Sequence, residues 1–386
     1  MSDKYLQWIE DAATRRPNQA SILSELASLY EKKLWHQLTL ALETAIEDPV
    51  FCSDRFLLDL YQNFIAGFAH KINLLKLAFF AVAASKQLSN PAEGCSFLSN
   101  AVADLEVSNL PESAEPILYL RMQIGQYHLI QGNIDEAKQA TVEGQEELLS
   151  LSEVDPQVSA AVHYLTMQYH KSQKEYAAFY RAAMLYLAFV SQASLPPDFR
   201  LALAVDIALA GLLGEDVYNF GELLLHPIVE TLQQSSYSWL YELLECFNAG
   251  DIHAYDDVCA RHAQLLNAQP ALVEHERRLR EKITVSSLIE LLAELPPEQR
   301  RVPLSVIANR TKLPLDGVEF LLMKALALHL IEGKIDQVDD IVEVSWVAPR
   351  VLTMPQVQAL KERLNSWLAK VESTAGNLEQ EAVGLI

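Results

Sequence analysis

Residues 302–347 read VPLSVIANRTKLPLDGVEFLLMKALALHLIEGKIDQVDDIVEVSWV, and this stretch decides the fold. A short strand opens it. Residues 304–310 then put Leu304, Ile307 and Ala308 on one face of a helix. A second helix opens after Pro314, with Asp316 and Glu319 at capping-box spacing. It carries Val318, Leu321, Leu322, Ala325 and Leu326 at helical period. Residues 330–335 form a strand, and Asp339-Asp340 supply a turn. Residues 341–347 form the last strand, where Val342, Val344 and Trp346 alternate with Glu343 and Ser345. Strand, helix, turn, helix and two wing strands make a winged helix.

A helix that reads DNA brings Arg and Lys to the duplex. This second helix brings Asp316, Glu319 and a single Lys324, and residues 285–350 hold seven Lys and Arg against ten Asp and Glu. Such a module repels phosphate. It is expected to dock protein through a strand edge, with Val342, Val344 and Trp346 as candidate interface residues.

Before the winged helix, residues 1–285 read as helical pairs joined by short turns. The turns sit at Gln131-Gly132-Asn133-Ile134-Asp135, Ser172-Gln173-Lys174-Glu175, Gly214-Glu215-Asp216 and Ala249-Gly250-Asp251-Ile252. Their spacing of roughly 40 residues is that of helix-hairpin solenoids. Ala137 and Tyr255 each follow a turn glycine by five residues, where the second helix of a hairpin packs on the first. Weak boundaries fall at Asn109-Leu110-Pro111-Glu112, Leu195-Pro196-Pro197-Asp198 and Leu295-Pro296-Pro297-Glu298. The last follows a helix read as capped by Ser287 and Glu290.

A final helix begins after Pro349, with Thr353 and Gln356 at capping-box spacing and Pro355 in the first turn. Val357, Leu360, Leu364, Trp367 and Val371 follow a 3-4-3-4 spacing, an a/d seam. Two uses are open: the seam folds back on its own winged helix, or it meets helices of other chains. Gly376 is expected to end the regular part.

The 386 residues carry 51 Asp and Glu against 30 Lys and Arg, a net charge of −21. That excludes a general binder of nucleic acid or anionic membrane. Only 13 glycines among abundant Leu and Ala point to helix. The N-terminus lacks a signal-peptide pattern, and the apolar stretches 77–84 and 201–213 are too short to span a bilayer. Cys52, Cys95, Cys246 and Cys259 are scattered, which reads as reduced thiols in the cytoplasm or nucleus.

No phosphate loop, dinucleotide fingerprint, nucleophile elbow or zincin motif is present. Cys246, Cys259 and His262 lack a fourth ligand and read as structural thiols beside a surface histidine. His163 and His170 share a helix face without carboxylate ligands. Trp35, Trp239 and Tyr241 read as solenoid packing. No catalytic, cofactor or metal site is expected.

A helical solenoid with an acidic winged helix and a terminal seam helix resembles the PCI-domain proteins. These build the proteasome lid, the COP9 signalosome and a translation initiation factor complex. LWHQLTL at 34–40, GLLGEDVYNFGELLLHP at 211–227, MKAL at 323–326 and SWVAPRVL at 345–352 narrow the resemblance. Together they are similar to the non-ATPase regulatory subunit 13 family of the 26S proteasome, from about residue 20 to about residue 370. In 211–227, Asn219 and Glu222 have the spacing of a helix cap and its partner.

The resemblance implies a mainly α fold: a right-handed helical-hairpin (TPR-like) solenoid, then a winged-helix (PCI) module and a C-terminal helix. The implied divisions are N-terminal repeats at 1–170 and a PCI domain at 171–347, with repeats to 300 and the winged helix at 301–347. A bundle helix at 353–373 and a tail at 374–386 follow. The implied role is a non-catalytic lid scaffold. Winged helices would join edge to edge and terminal helices would gather in a bundle, presenting Leu360, Leu364, Trp367 and Val371. Implied partners are the other PCI and MPN subunits and a neighbouring ubiquitin-receptor subunit, with no cofactor. The competing readings are a subunit of a sister PCI complex, a winged-helix nucleic-acid binder and a stand-alone peptide adaptor.

Overall fold

Helices that end on a left-handed residue and restart two residues later give this chain its hairpins. Lys33, Gly132, Lys174 and Gly250 have φ of 57°, 85°, 58° and 61°. The next helices begin at Trp35, Ile134, Tyr176 and Ile252. In each turn the following amide closes back five residues: Leu34 to Leu29, Asn133 to His128, Glu175 to His170 and Asp251 to Cys246, at 2.9–3.2 Å. These bonds satisfy carbonyls that a helix end leaves orphaned. The turn at Gly214 differs. Its φ of −64° and ψ of 132° are extended, and the next helix waits until Phe220.

The computed structural model describes residues 2–16, 19–47, 55–108, 111–296, 300–352 and 354–383. Cys52 and Thr353, with the proposed Thr353 cap, lie outside them. The chain divides into two compact units, residues 1–195 and 196–386. The break falls at Leu195-Pro196-Pro197, whereas the 170/171 division lies within the Pro156–Gln173 helix.

The first unit is helical among its described residues. Leu23, Leu26, Leu38, Leu42, Phe64 and Phe68 are fully buried at its N-terminal end. Trp35 packs edge-on to Tyr30 and stacks on Phe68, with centroids 5.6 and 5.7 Å away. Leu118, Met122, Val158, Val162 and Leu165 form the next core under the Gly132 hairpin. Ala137 is fully buried there, as its place five residues after the turn requires.

In the second unit, helices Pro197–Leu213, Ser238–Ala249, Ile252–Arg261 and Glu276–Glu294 precede the winged helix. The latter runs β1 (Arg301–Pro303), helix Leu304–Thr311, helix Leu315–Ala327, β2 (Ile331–Asp336) and β3 (Ile341–Val347). The sheet is antiparallel in the order β1-β3-β2. Val342 sits opposite both Val302 and Ile335. Val285, Leu288, Leu292, Ile307, Val318, Leu322 and Val342 are fully buried in the module's core.

Several expected caps are absent for physical reasons. Ser287 lies mid-helix in Glu276–Glu294, fully buried, because the backbone at Gly250 approaches there. Asp316 sits inside the first turn while Pro314 holds the cap position, and Glu319 instead accepts from Gln337 at 2.9 Å. Asn219 makes no capping bond, and its Oδ1 is buried without a partner. Gly376 does not end the last helix, which runs Met354–Val383 through the expected tail. Exposed glycine costs a helix about 1 kcal/mol, too little to stop one continued by Leu378, Glu379, Gln380 and Glu381.

Candidate assembly surfaces

The terminal helix carries an uncovered apolar stripe. Every described side chain from Met354 to Leu378 is exposed except Gly376. Val357, Leu360, Leu364, Trp367 and Val371 are 43–65% exposed, so the seam does not fold back on its own winged helix. Leu378, 61% exposed, continues the same register one heptad past Val371.

The helix is strapped down at its base. Arg350 pairs with Glu290, and its Nη2 donates to the carbonyl of Asn248 at 2.8 Å. Burial raises the Glu290 carboxyl, an effect that Arg350 opposes. Val351 approaches the backbone of Gly221 so closely that a Cβ there would lie 2.9 Å from its own Cβ. The closing part of the 345–352 stretch is therefore a strap over the 211–227 stretch.

The 211–227 stretch has its own anchor. The side chain of Lys282, 5% exposed, donates from Nζ to the carbonyls of Gly211, Leu212 and Gly214 at 2.7, 3.1 and 2.6 Å. The rings of Tyr218 and Phe220 lie 5.4 and 5.2 Å from the same nitrogen. The cation thus caps the carbonyl end of helix Pro197–Leu213, where the helix dipole favours positive charge. Burial pushes its pKa down to about 7, with the Asp216 carboxylate opposing.

The winged helix presents a second surface. Val342 and Val344 point into the module's own core, at 0% and 4% exposure, and β3 is the central strand. Trp346 is exposed. The outer edge of the sheet on this side belongs to β2. On helix Leu315–Ala327, Leu315, Phe320 and Met323 are exposed beside Asp316 and Glu319. Lys324 is engaged by Glu281. A cavity of 380 Å³, lined by Arg301, Glu319, Met323 and Lys334, separates the helix from the wing.

The side chains weighed for chemistry find other partners. His163 stacks on Phe189, and His170 pairs with Glu175 at 2.7 Å. Burial raises the Cys246 thiol to about 11 and raises Cys259 too, which keeps both protonated. His262 lies 3.7 Å from Glu242. Trp239 is buried and Tyr241 half-buried.

Sequence reasoning missed Lys282, Arg350, Phe320 and Met323. The signal for the last two was present: apolar residues three apart on the face that Asp316 and Glu319 mark as polar. For Lys282 there was none, since a lysine in a helix is ordinarily solvated.

A family model described as PSD13 N-terminal repeats matches residues 22–244, and one described as PCI domain matches residues 259–346. The 26S proteasome non-ATPase regulatory subunit 13 homolog A of Arabidopsis thaliana is 45% identical over 381 residues, 99% of each chain. The chain belongs to the 26S proteasome non-ATPase regulatory subunit 13 family. The subunit 13 of Dictyostelium discoideum is 31% identical, again over 99% of each chain. The eukaryotic translation initiation factor 3 subunit M of Aspergillus fumigatus is 30% identical over 46% of this chain and 38% of its own. In this member of the subunit 13 family, the PCI match takes in the helix that carries Lys282 and Glu290 as well as the winged helix. The terminal seam helix lies beyond it.

Proposed function

We propose that this chain is a non-catalytic scaffold subunit of the lid of the proteasome regulatory particle. The carrying observation is the uncovered seam Val357–Leu360–Leu364–Trp367–Val371 on a helix strapped to a PCI module. A solvated stripe of this length is a liability for a free chain and a docking face in an assembly. Full-length similarity to relatives named as proteasome regulatory subunits supports the choice of assembly. The partial match to the initiation-factor subunit supports the sister-complex reading less, because it leaves more than half of this chain uncovered.

In this reading the seam, with Leu360, Leu364, Trp367 and Val371, joins helices of other PCI and MPN subunits in the cytoplasm and nucleus. Trp346, Phe320, Met323 and the β2 edge face a neighbouring winged helix. Val342 and Val344 support that surface from beneath, through the core. The solenoid of residues 1–195 reaches other subunits, a ubiquitin receptor among them. No residue performs chemistry, and no cofactor takes part. Acidic Asp316 and Glu319 argue against nucleic acid as the ligand of the second helix.

The test is mass spectrometry of material purified through a tagged copy in cells that lack their own. The proposal expects lid subunits in equal amounts with the tagged chain. Recovery with initiation-factor subunits, or alone, defeats it.

A further inference from the structure

The base of the terminal helix borders a cavity of 630 Å³. Glu290 and Glu294 face it from the Glu276–Glu294 helix, Arg300 from the approach to β1, Arg350 from the strap, and Leu360 and Arg363 from the terminal helix. The charge here runs against the rest of the chain. Glu290 is committed to Arg350. Arg300 and Arg363 make no ion pair among the described residues, and the Arg300 Nε is buried without an acceptor. Among the described lining residues, Glu294 is the carboxylate left to face them. In a chain with 51 acidic and 30 basic side chains, the described lining of this cleft gathers three arginines against two glutamates. Leu360 belongs to both the cleft wall and the seam.

We propose that this cleft receives an acidic amphipathic helix of another chain. Its apolar stripe lies on Leu360, Leu364 and Trp367, and a carboxylate of it enters the cleft against Arg300 and Arg363. The proposal rests on the assembly reading above and names the chemistry of the partner. A guanidinium offers a planar fork of donors that fits a carboxylate with two bonds. Docking removes water from the cleft and strengthens that pair. A helix without an acid at this place would bury two cations unpaired and be rejected. The seam thus supplies affinity, and the arginines select partner and register.

The test uses the full chain in cells whose own copy has been replaced. A benzophenone amino acid at position 360 is photo-crosslinked in the purified regulatory particle, and the products are mapped by mass spectrometry. The expected product lies on a helical segment of another subunit, with Asp or Glu within one turn. In parallel, Arg300→Glu with Arg363→Glu should lower incorporation about tenfold or more, as expected for reversing a buried charge pair. Arg300→Lys with Arg363→Lys should retain most of it. Arg363 is exposed in the free chain, so Arg363→Glu alone should leave the melting temperature unchanged and still lower incorporation several-fold. Normal incorporation of the charge-reversed chains overturns the proposal. So does a crosslink to a segment without acid, to a second copy of this chain, or only within the chain. Absence of the wild-type chain from the particle overturns the assembly reading first, and this one with it.

Discussion

The Nζ of Lys282 donates to the carbonyl oxygen of Gly214 at 2.6 Å, inside the protein. The two residues are 68 positions apart, and the bond ties the PCI helix to the 211–227 stretch. It also explains why the turn at Gly214 does not close like the others. The carbonyls that a left-handed turn would satisfy from its own backbone are satisfied here by a side chain.

Lys282→Met should therefore destabilise the chain by about 2–3 kcal/mol, since three buried carbonyls lose their donor while a costly buried cation is removed. The effect should depend on pH. The folded pKa of about 7 lies below the unfolded value of about 10.4. Between them the unfolded chain binds more protons, so the wild type gains stability as pH rises. Below pH 7 the group is charged in both states and this contribution is flat. Urea titrations at pH 7 and pH 9 should show the wild type pulling further ahead of Lys282→Met at the higher pH. A gap that narrows contradicts the depressed pKa.

Gly250→Ala and Gly132→Ala should differ sharply although both glycines end a helix with positive φ. A Cβ at Gly132 meets nothing within 4 Å, so only backbone strain of about 1–2 kcal/mol is felt. A Cβ at Gly250 would lie 2.8 Å from the Ser286 carbonyl oxygen and 2.8 Å from the Ser287 Cα, backbone that cannot give way cheaply. Thermal unfolding should place Gly250→Ala well below Gly132→Ala. Equal losses would show that the helix does not approach the turn.

Capping signals were legible in the sequence only as spacing, and spacing alone does not locate a helix end. Ser287 and Glu290 fit the pattern, yet Ser287 is small because the Gly250 turn presses on it, while Glu290 is there to hold Arg350. The winged helix was legible because its apolar periods change from helical to alternating at identifiable turns. The last strand, Ile341–Val347, was found with its bounds intact. Which of its residues reach the surface was not legible, since alternation marks Val342, Val344 and Trp346 alike and only the fold shows Trp346 outside. Lys282 and Arg350 act across 60 or more residues of sequence, a distance over which no local pattern reports.

Gly376→Ala should stabilise the end of the terminal helix by about 0.5–1 kcal/mol, because Gly376 is interior to a helix and has open space around it. Amide exchange of residues 374–383 should slow. Faster exchange would place a helix end at Gly376.

Phe320→Ser combined with Met323→Ser removes exposed apolar surface and nothing from the core. Stability should stay within about 0.5 kcal/mol. Incorporation into the regulatory particle should fall, measured by native electrophoresis of extracts. Full incorporation would show that this face of the winged helix is free in the assembly.

The terminal seam carries the central claim, and a truncation tests it most directly. The cut belongs after Leu352, because Arg350 and Val351 hold the strap to the body. Each seam side chain buried is worth about 1.5–3 kcal/mol before association costs. The purified chain 1–352 should keep the melting temperature of the full chain, while co-purification finds it missing from the regulatory particle. A truncated chain that assembles at wild-type levels would contradict the account.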